Sequence, residues 1–144
     1  MHDFPHRYRA SCTARAEGPV AAGSPGLATL ETYSPPEFGG PEGYWSPETL
    51  LTASVVDCFV LTFRAIARAS QCEWLELECD AEGTLERVDR VIRFTRFDIR
   101  ARLRIPADGN PDRAERLLQK AEENCLITSS MSAEVHLGIT VESG

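Results

Sequence analysis

The chain has 144 residues, of which 42% are hydrophobic and 26% are charged, and its formal net charge at pH 7 is -7. This length suits a single domain with one core, and the acidic charge argues against nucleic acid as the main partner. The N-terminal sequence has no apolar segment typical of an export signal, and no run approaches the ~18 uninterrupted apolar residues of a membrane span. We therefore expect a cytoplasmic protein with no membrane partner.

Two strands and a loop are predicted in the N-terminal third. Small or apolar side chains alternate with polar ones from Arg7 to Ala16, and a second short strand is predicted within Leu27 to Tyr33, between Gly and Pro turns. The segment from Ser34 to Ser46 contains too much Pro and Gly for a regular element, yet it carries three aromatic side chains, Phe38, Tyr44 and Trp45. These side chains either line an apolar pocket or only cover the core.

A long apolar helix is predicted from Ser46 to Ser70. Ser46 is a good N-cap residue, and Pro47 at the first helical position lacks an N–H that would have no partner there. Apolar side chains point in most directions around this helix, which predicts that it is buried. Cys58 lies near its middle.

Strands follow this helix. Residues Glu73 to Asp80 alternate with an acidic outer face, a turn is predicted around Gly83, and a less regular strand is predicted from Thr84 to Phe94. The clearest period of two runs from Arg96 to Ile105, with a basic outer face. Because acidic and basic strands in one sheet pair their charges, this arginine stripe is interpreted as a solvated, paired face rather than an anion site.

A second helix and a final strand complete the chain. Asn110 and Pro111 mark the start of an amphipathic helix whose apolar side ends at Cys125, and Met131 to Val141 alternates as a half-buried strand. Strands grouped in hairpins, with two helices to cover one face, indicate an α+β protein rather than alternating βαβ units. We expect one domain over residues 1–144.

The five cysteines form no CxxC pair and are odd in number, so neither a zinc knuckle nor a complete disulfide framework is indicated. Cys12 and Cys79 occupy inward strand positions, and Cys72 lies at a helix-to-strand junction, so all three are interpreted as small hydrophobes. Cys58 and Cys125 lie on the apolar sides of the two helices. If these helices pack together, the two thiols are within reach of each other and indicate redox chemistry; otherwise they too are buried hydrophobes. A metal site would need a further ligand.

Four short motifs, PPEFGGPEG, SPETLL, DCF and AEENCLITSSM, together resemble the family of osmotically induced protein C (OsmC) and the organic hydroperoxide resistance proteins. The resemblance extends from the first hairpin to the final strand. It implies an OsmC-like α+β fold of antiparallel sheets, with a long buried central helix and a second helix. It also implies an intertwined homodimer whose active sites lie at the subunit interface.

By this resemblance the chain is a thiol-dependent peroxidase that reduces organic hydroperoxides in oxidative stress defence. Cys58 is then the peroxidatic cysteine and Cys125 the resolving one, while the family's glutamate and arginine fall on Glu48 and Arg15. A cation beside a buried cysteine keeps its thiol ionised, and a carboxylate holds the guanidinium in a fixed plane. The resemblance implies no prosthetic cofactor or metal. An external dithiol reductant, commonly a lipoyl group carried on a protein, reopens the disulfide.

An alternative function uses the same fold. The aromatic loop and an interface pocket would hold a small apolar ligand, and the thiols would be incidental.

Two positions also differ from many relatives: Leu126 stands where Pro is common, and Asp57 where a small residue is usual.

The spacing of Glu48 and Cys58 bears on the dimer. In one unbroken helix their Cα atoms are ~15 Å apart along the axis and roughly 80° apart around it, so one glutamate side chain cannot span the gap. A shared site therefore requires either a break in the helix or two chains, unless Glu48 only provides an acidic residue for the helix N-terminus.

Overall fold

The computed structural model describes residues Met1 to Gly144 and divides into two compact units, residues 1–50 and residues 51–144. The first unit contains three short strands, β1 (Ser11–Thr13), β2 (Val20–Gly23) and β3 (Leu30–Thr32), and one turn of 3-10 helix at Pro36–Phe38. Helix α1 (Pro47–Ala69) begins in the first unit and continues into the second. The remaining elements are β4 (Glu76–Val88), β5 (Val91–Ile105), α2 (Pro111–Glu123), α3 (Leu126–Ser129) and β6 (Glu134–Ser143). The prediction of a single domain over residues 1–144 stays a prediction.

The first unit is an antiparallel meander in the order β1-β2-β3. Strand β2 was not predicted, because its sequence VAAG has no alternation of polar and apolar residues to mark a strand. The predicted inward position of Cys12 is wrong, since the whole of β1 is exposed. Only Thr32 and Ser46 are buried in this unit, so its strands have no core of their own.

Helix α1 begins where the sequence predicts. The Ser46 hydroxyl accepts a hydrogen bond from the Thr49 N–H (3.1 Å), and the Thr49 hydroxyl accepts one from the Ser46 N–H (2.9 Å). Each side chain thus satisfies a backbone donor that the first helical turn leaves without a partner.

The burial of α1 differs from the prediction. Only one stripe of its residues is fully buried, Val55, Phe59, Phe63 and Ala67. Leu61, on another side, is 49% exposed, because nothing in the single chain covers the remaining apolar surface. By length and composition alone α1 could cross a membrane, but core helices of soluble proteins pass the same test. The expected absence of a membrane partner stays a prediction.

The second unit contains a three-stranded sheet in the order β4-β5-β6. Strands β4 and β5 form one long antiparallel hairpin, whereas β5 and β6 are parallel, so the prediction of antiparallel sheets is wrong for this pair. The hairpin turns at Asp89 and Arg90, which both have positive φ (50° and 69°), and not at Gly83. The predicted irregular strand from Thr84 to Phe94 therefore spans the end of β4, the turn and the start of β5.

The outer face of this sheet pairs opposite charges, as predicted. Arg100 Nη2 lies 2.6 Å from Asp80 Oδ2, and Arg104 Nη2 lies 2.9 Å from Glu76 Oε2. These partners face each other across β4 and β5. Because all four side chains are exposed to solvent, each pair contributes little to stability.

The inner face of the sheet packs on the helices. Asn110 Oδ1 accepts a hydrogen bond from the Arg113 N–H (3.1 Å) and starts α2, which confirms the predicted helix start. The buried residues of α2 join the stripe of α1 and the inward side chains of β5 in one cluster: Ala114, Leu118, Ala121, Phe97, Ile99 and Leu103. This cluster fixes α1 and α2 on the same face of the sheet, and thereby positions the two helical cysteines.

Candidate active site

The structure brings Cys58 and Cys125 together within the second unit, where their side chains hydrogen bond to each other. Cys58 is half-buried in α1, directly before the fully buried Phe59. Cys125 is 1% exposed and precedes α3 as its N-cap residue, with φ -68° and ψ 120°. The sequence predicted Cys125 at the end of the second helix, whereas α2 ends at Glu123 and a separate short helix follows.

The start of α3 faces the Cys58 sulfur. The backbone N–H groups of Ile127 and Leu126 donate hydrogen bonds to this sulfur, and they are available because the first N–H groups of a helix have no partner inside it. A third neutral group lies on α1 itself, where the Thr62 Oγ1 is 3.9 Å from the Cys58 Sγ. The sulfur thus contacts one thiol, one hydroxyl and two backbone amides.

These contacts decide the ionisation of Cys58. Burial is the largest single effect and acts to raise the pKa of Cys58, but the hydrogen bonds from Ile127, Cys125, Thr62 and Leu126 together outweigh it, so that the pKa is lowered. The reason is that each donor interacts more strongly with a thiolate than with a thiol. The contacts therefore favour the thiolate form, which is the nucleophilic form of a cysteine.

Cys125 has the opposite behaviour. Burial is the main cause that raises its pKa, and the bond to Cys58 and the charge of the Cys58 thiolate add to it, against hydrogen bonds from Thr128. The Cys125 thiol consequently keeps its proton while Cys58 ionises, and donates that proton to the Cys58 sulfur in a hydrogen bond.

The other cysteines have different surroundings. Burial, aided by the charge of Asp80, raises the pKa of Cys79 to about 11. Cys12 is exposed and Cys72 is half-buried. Cys58 combines a lowered pKa with a neighbouring thiol.

The remaining predicted site residues lie in the first unit. Glu48 is half-buried in the first turn of α1, and Arg15 is exposed two residues after β1. The three predicted pocket residues are partly exposed, Phe38 by 54%, Tyr44 by 44% and Trp45 by 47%. Their participation in the site with Cys58 stays a prediction.

The aromatic loop, residues Ser34 to Ser46, nevertheless contacts Tyr33, the residue directly after β3. The Tyr33 N–H donates to the Trp45 carbonyl (3.0 Å), and the rings of Tyr33 and Tyr44 meet edge to face with centroids 4.9 Å apart. These contacts hold the loop against this unit, while its three aromatic side chains Phe38, Tyr44 and Trp45 remain partly exposed.

The structure has no group of three or more His, Cys, Asp and Glu side chains that could hold a metal ion. The expected absence of a metal site stays a prediction. Asp57, which precedes Cys58, is exposed and is not among the groups that act on the Cys58 sulfur.

Thr62, Leu126 and Ile127 were not predicted from the sequence as neighbours of Cys58. The spacing of Cys58 and Thr62, four residues apart on one helix, was a usable signal because such side chains are neighbours. The two amides carried no signal, since backbone N–H groups are common to nearly all residue types.

Comparisons with known proteins identify a family for this chain. The sequence profile described as "OsmC-like protein" matches residues 39–140 of the chain. The chain is 26% identical over 106 residues to the uncharacterized protein YmaD of Bacillus subtilis (strain 168), an alignment that covers 72% of this chain and 71% of YmaD.

Two solved structures share the fold. An OsmC-like protein of unknown function from Vibrio cholerae is 19% identical with a TM-score of 0.86, covering 94% of this chain and 100% of that one. An organic hydroperoxide resistance protein OsmC from Legionella pneumophila is 24% identical with a TM-score of 0.73, covering 97% and 99%. The α+β fold with two sheets and two main helices is that of OsmC-like structures.

Proposed function

The chain belongs to the OsmC-like protein family, and we propose that it is a cysteine-based peroxidase that reduces organic hydroperoxides to alcohols. The observation that carries this proposal is the contact of two thiols whose pKa values are displaced in opposite directions, downward for Cys58 and upward for Cys125. Such a pair supplies both a nucleophile and a second thiol to form a disulfide with it. The solved relative from Legionella pneumophila is named for organic hydroperoxide resistance, which supports the same substrate class.

The first step is the attack of the Cys58 thiolate on the terminal oxygen of the hydroperoxide. An S–O bond forms and the O–O bond breaks, so the sulfur is oxidised to a sulfenic acid and the alkoxide leaves and takes a proton from solvent. The peroxide is thereby reduced to an alcohol. The donors around Cys58 favour this step because they raise the fraction of thiolate present at neutral pH.

The second step joins the two cysteines. Cys125 attacks the oxidised sulfur, an S–S bond forms, and the hydroxyl group of the sulfenic acid leaves as water with the Cys125 proton. Because the two thiols are close together, this step is favoured over attack of a second peroxide on the oxidised sulfur. An external dithiol then reopens the disulfide by two thiol exchanges, and a lipoyl group carried on a protein is such a reductant.

Arg15 and Glu48 complete the proposed site. The guanidinium of Arg15 would stabilise the thiolate, and Glu48 would hold that guanidinium in a fixed orientation through a bidentate pair. The aromatic side chains Phe38, Tyr44 and Trp45 would contact the apolar part of the hydroperoxide.

We also propose an intertwined homodimer. The first unit buries only Thr32 and Ser46, and α1 leaves apolar side chains such as Leu61 partly exposed, so both need a cover that a second copy would provide. Helix α1 is continuous from Pro47 to Ala69, which removes the possibility of a helix break between Glu48 and Cys58. A site that contains both residues therefore needs two chains.

A second candidate function is the binding of a small apolar ligand without catalysis. The ordered aromatic loop, with Tyr44 and Trp45 nearly half exposed, favours this candidate. Reduced protein mixed with cumene hydroperoxide separates the two functions by a count of free thiols. Loss of two thiols per chain, with peroxide consumed, supports the peroxidase. Unchanged thiols would contradict the peroxidase and favour the ligand-binding protein.

A further inference from the structure

We propose that Thr62 is a positioning residue for the nucleophile, and that its hydroxyl donates a hydrogen bond to the Cys58 sulfur when the thiol is ionised. This inference rests on the proposed role of Cys58 and adds a residue that the family resemblance did not assign. It concerns a side chain on the same helix as the nucleophile, so it requires no second copy of the chain.

The geometry of Thr62 is specific. A threonine hydroxyl inside a helix commonly bonds to the carbonyl four residues earlier, which here is the carbonyl of Cys58 itself. The structure has the Thr62 hydroxyl beside the Cys58 sulfur instead, with Oγ1 3.9 Å from Sγ. This is a long contact for a neutral thiol, and hydrogen bonds shorten when the acceptor becomes charged. The hydroxyl is therefore placed to strengthen its contact as Cys58 ionises.

A hydroxyl has a property that the two backbone donors lack. The amides of Leu126 and Ile127 can only donate, so they favour the thiolate but give the neutral thiol no acceptor for its proton. The Thr62 oxygen can accept from the thiol and then donate to the thiolate after a rotation of its O–H bond. It therefore serves both protonation states of Cys58 without any movement of the helix.

The effect of the Thr62 hydroxyl on the reactivity of Cys58 should be measurable. The Cys58 sulfur has four hydrogen-bonding neighbours, and only one of them, Cys125, is itself titratable. Asp57, the adjacent charged residue on α1, is exposed. Loss of the Thr62 hydroxyl thus removes one of the few contacts that stabilise the Cys58 thiolate, and the reactivity of Cys58 should fall.

The test compares Thr62→Val with Thr62→Ser. Valine keeps the branched shape and removes the hydroxyl, whereas serine keeps the hydroxyl and removes the methyl group. The measurement is the rate of Cys58 alkylation by iodoacetamide as a function of pH, followed on the Cys58 peptide by mass spectrometry in otherwise unchanged protein. We expect the profile of Thr62→Val to move to higher pH, with alkylation at pH 7 slower by about tenfold, and that of Thr62→Ser to stay near the parent.

Two outcomes overturn the inference: a Thr62→Val profile that overlaps the parent profile, or a Thr62→Ser profile displaced as far as that of Thr62→Val. The second would mean that the methyl group, and hence packing, is what matters. If Thr62→Val does not fold, Thr62→Ala replaces it, because alanine suits a helix interior and also removes the hydroxyl. Alkylation requires no peroxide, so failure of the peroxidase proposal would appear separately as a parent protein that does not consume cumene hydroperoxide.

Discussion

The Cys125 thiol donates a hydrogen bond to the Cys58 sulfur, and this contact contributes both to the lowered pKa of Cys58 and to the raised pKa of Cys125. The two cysteines are therefore chemically unequal before any oxidant arrives. Cys58 has the smaller proton affinity and is half-buried, whereas Cys125 is 1% exposed and retains its proton. From this inequality we predict the order in which the thiols react, and it leads to the first prediction.

Replacement of Cys58 by Ser should abolish peroxide reduction, while Cys125→Ser should permit one round of oxidation that stops at the sulfenic acid or proceeds to higher oxides. The reason is that, in the proposed mechanism, only Cys58 attacks the peroxide and only Cys125 forms the disulfide that protects the oxidised sulfur. Single-turnover peroxide consumption and intact-protein mass measure this difference. Cys79→Ser is the matched control, because the pKa of Cys79 is raised to about 11 and its thiol should remain unreactive.

Equal loss of the first turnover in both variants would contradict the assignment of nucleophile and resolving cysteine. A Cys125→Ser variant that still consumes peroxide through many turnovers would show that Cys125 does not resolve the intermediate.

The Leu126 N–H should contribute to the reactivity of Cys58. Proline has no N–H, yet it suits the first position of a helix, which Leu126 occupies in α3. The preceding Cys125 already has the extended conformation that a residue before proline requires, with φ -68° and ψ 120°. Leu126→Pro therefore removes one donor without disturbing the backbone. We expect the pKa of Cys58 to rise and its alkylation at pH 7 to slow severalfold.

Leu126→Ala is the control for this variant, because it removes the exposed side chain and keeps the N–H. The pH dependence of Cys58 alkylation, followed on its peptide, should be the same for Leu126→Ala and the parent protein. If Leu126→Pro also matches the parent, the Leu126 amide has no effect and Ile127 supplies the backbone contribution alone.

Local patterns in the sequence predicted much of this fold, and Gly83 is where they failed. A glycine between two alternating segments is typical of a turn. Gly83 instead lies inside β4, where a Cβ atom would be 2.8 Å from the Phe97 Cε1 and 2.9 Å from the Thr52 Oγ1. The close packing of β5 and α1 against β4 therefore explains the glycine. The residues next to Gly83 in the sequence do not predict this packing.

The position of Cys125 has a similar explanation. Its spacing from Leu118 and Ala121 suits a continuing helix, so the sequence placed it at the end of α2. The side chain of Asn124 donates to the carbonyl of Lys120 (2.8 Å) as the helix ends, and the chain then starts α3. The meeting of the two cysteines was predicted on the condition that the helices pack together. The two amides beside the Cys58 sulfur belong to α3, a helix that no pattern in the sequence predicted.

Arg15 and Glu48 are expected to support the first chemical step. Arg15→Ala should raise the pKa of Cys58 and slow the attack on peroxide, because the thiolate loses a neighbouring cation. Glu48→Ala should slow the same step less, since it releases the arginine without removing the charge. The measurements are thiolate absorbance against pH and single-turnover rates with cumene hydroperoxide.

Arg68→Ala is the control for loss of an arginine, because Arg68 is exposed in the last turn of α1, about 15 Å along the helix from Cys58. An Arg15→Ala titration that overlaps the parent would move the role to another arginine of the N-terminal segment, Arg9 first and then Arg7.

The last prediction is that one active site draws Glu48 and Cys58 from different chains. Because α1 runs without a break from Pro47 to Ala69, the two residues of one chain are ~15 Å apart along the helix axis, beyond the reach of a glutamate side chain. Cys58→Ser and Glu48→Ala proteins, once mixed and exchanged, should therefore complement each other. Each heterodimer would contain one site with both wild-type residues and one site with neither.

The size of the recovery follows from the symmetry of a dimer. After random exchange of equal amounts, about half of the dimers are heterodimers and each has one intact site, so about a quarter of all sites regain parent activity. The measured rate should therefore exceed the mean of the two separate variants, and subunit exchange should be followed independently with differently tagged chains. The double variant Cys58→Ser, Glu48→Ala mixed with parent protein is the control, because its heterodimers cannot gain a site. A shared interface site has to recover activity once exchange is complete. If the mixture only reaches the mean of the Cys58→Ser and Glu48→Ala activities, then Glu48 acts within its own chain or has no part in the site.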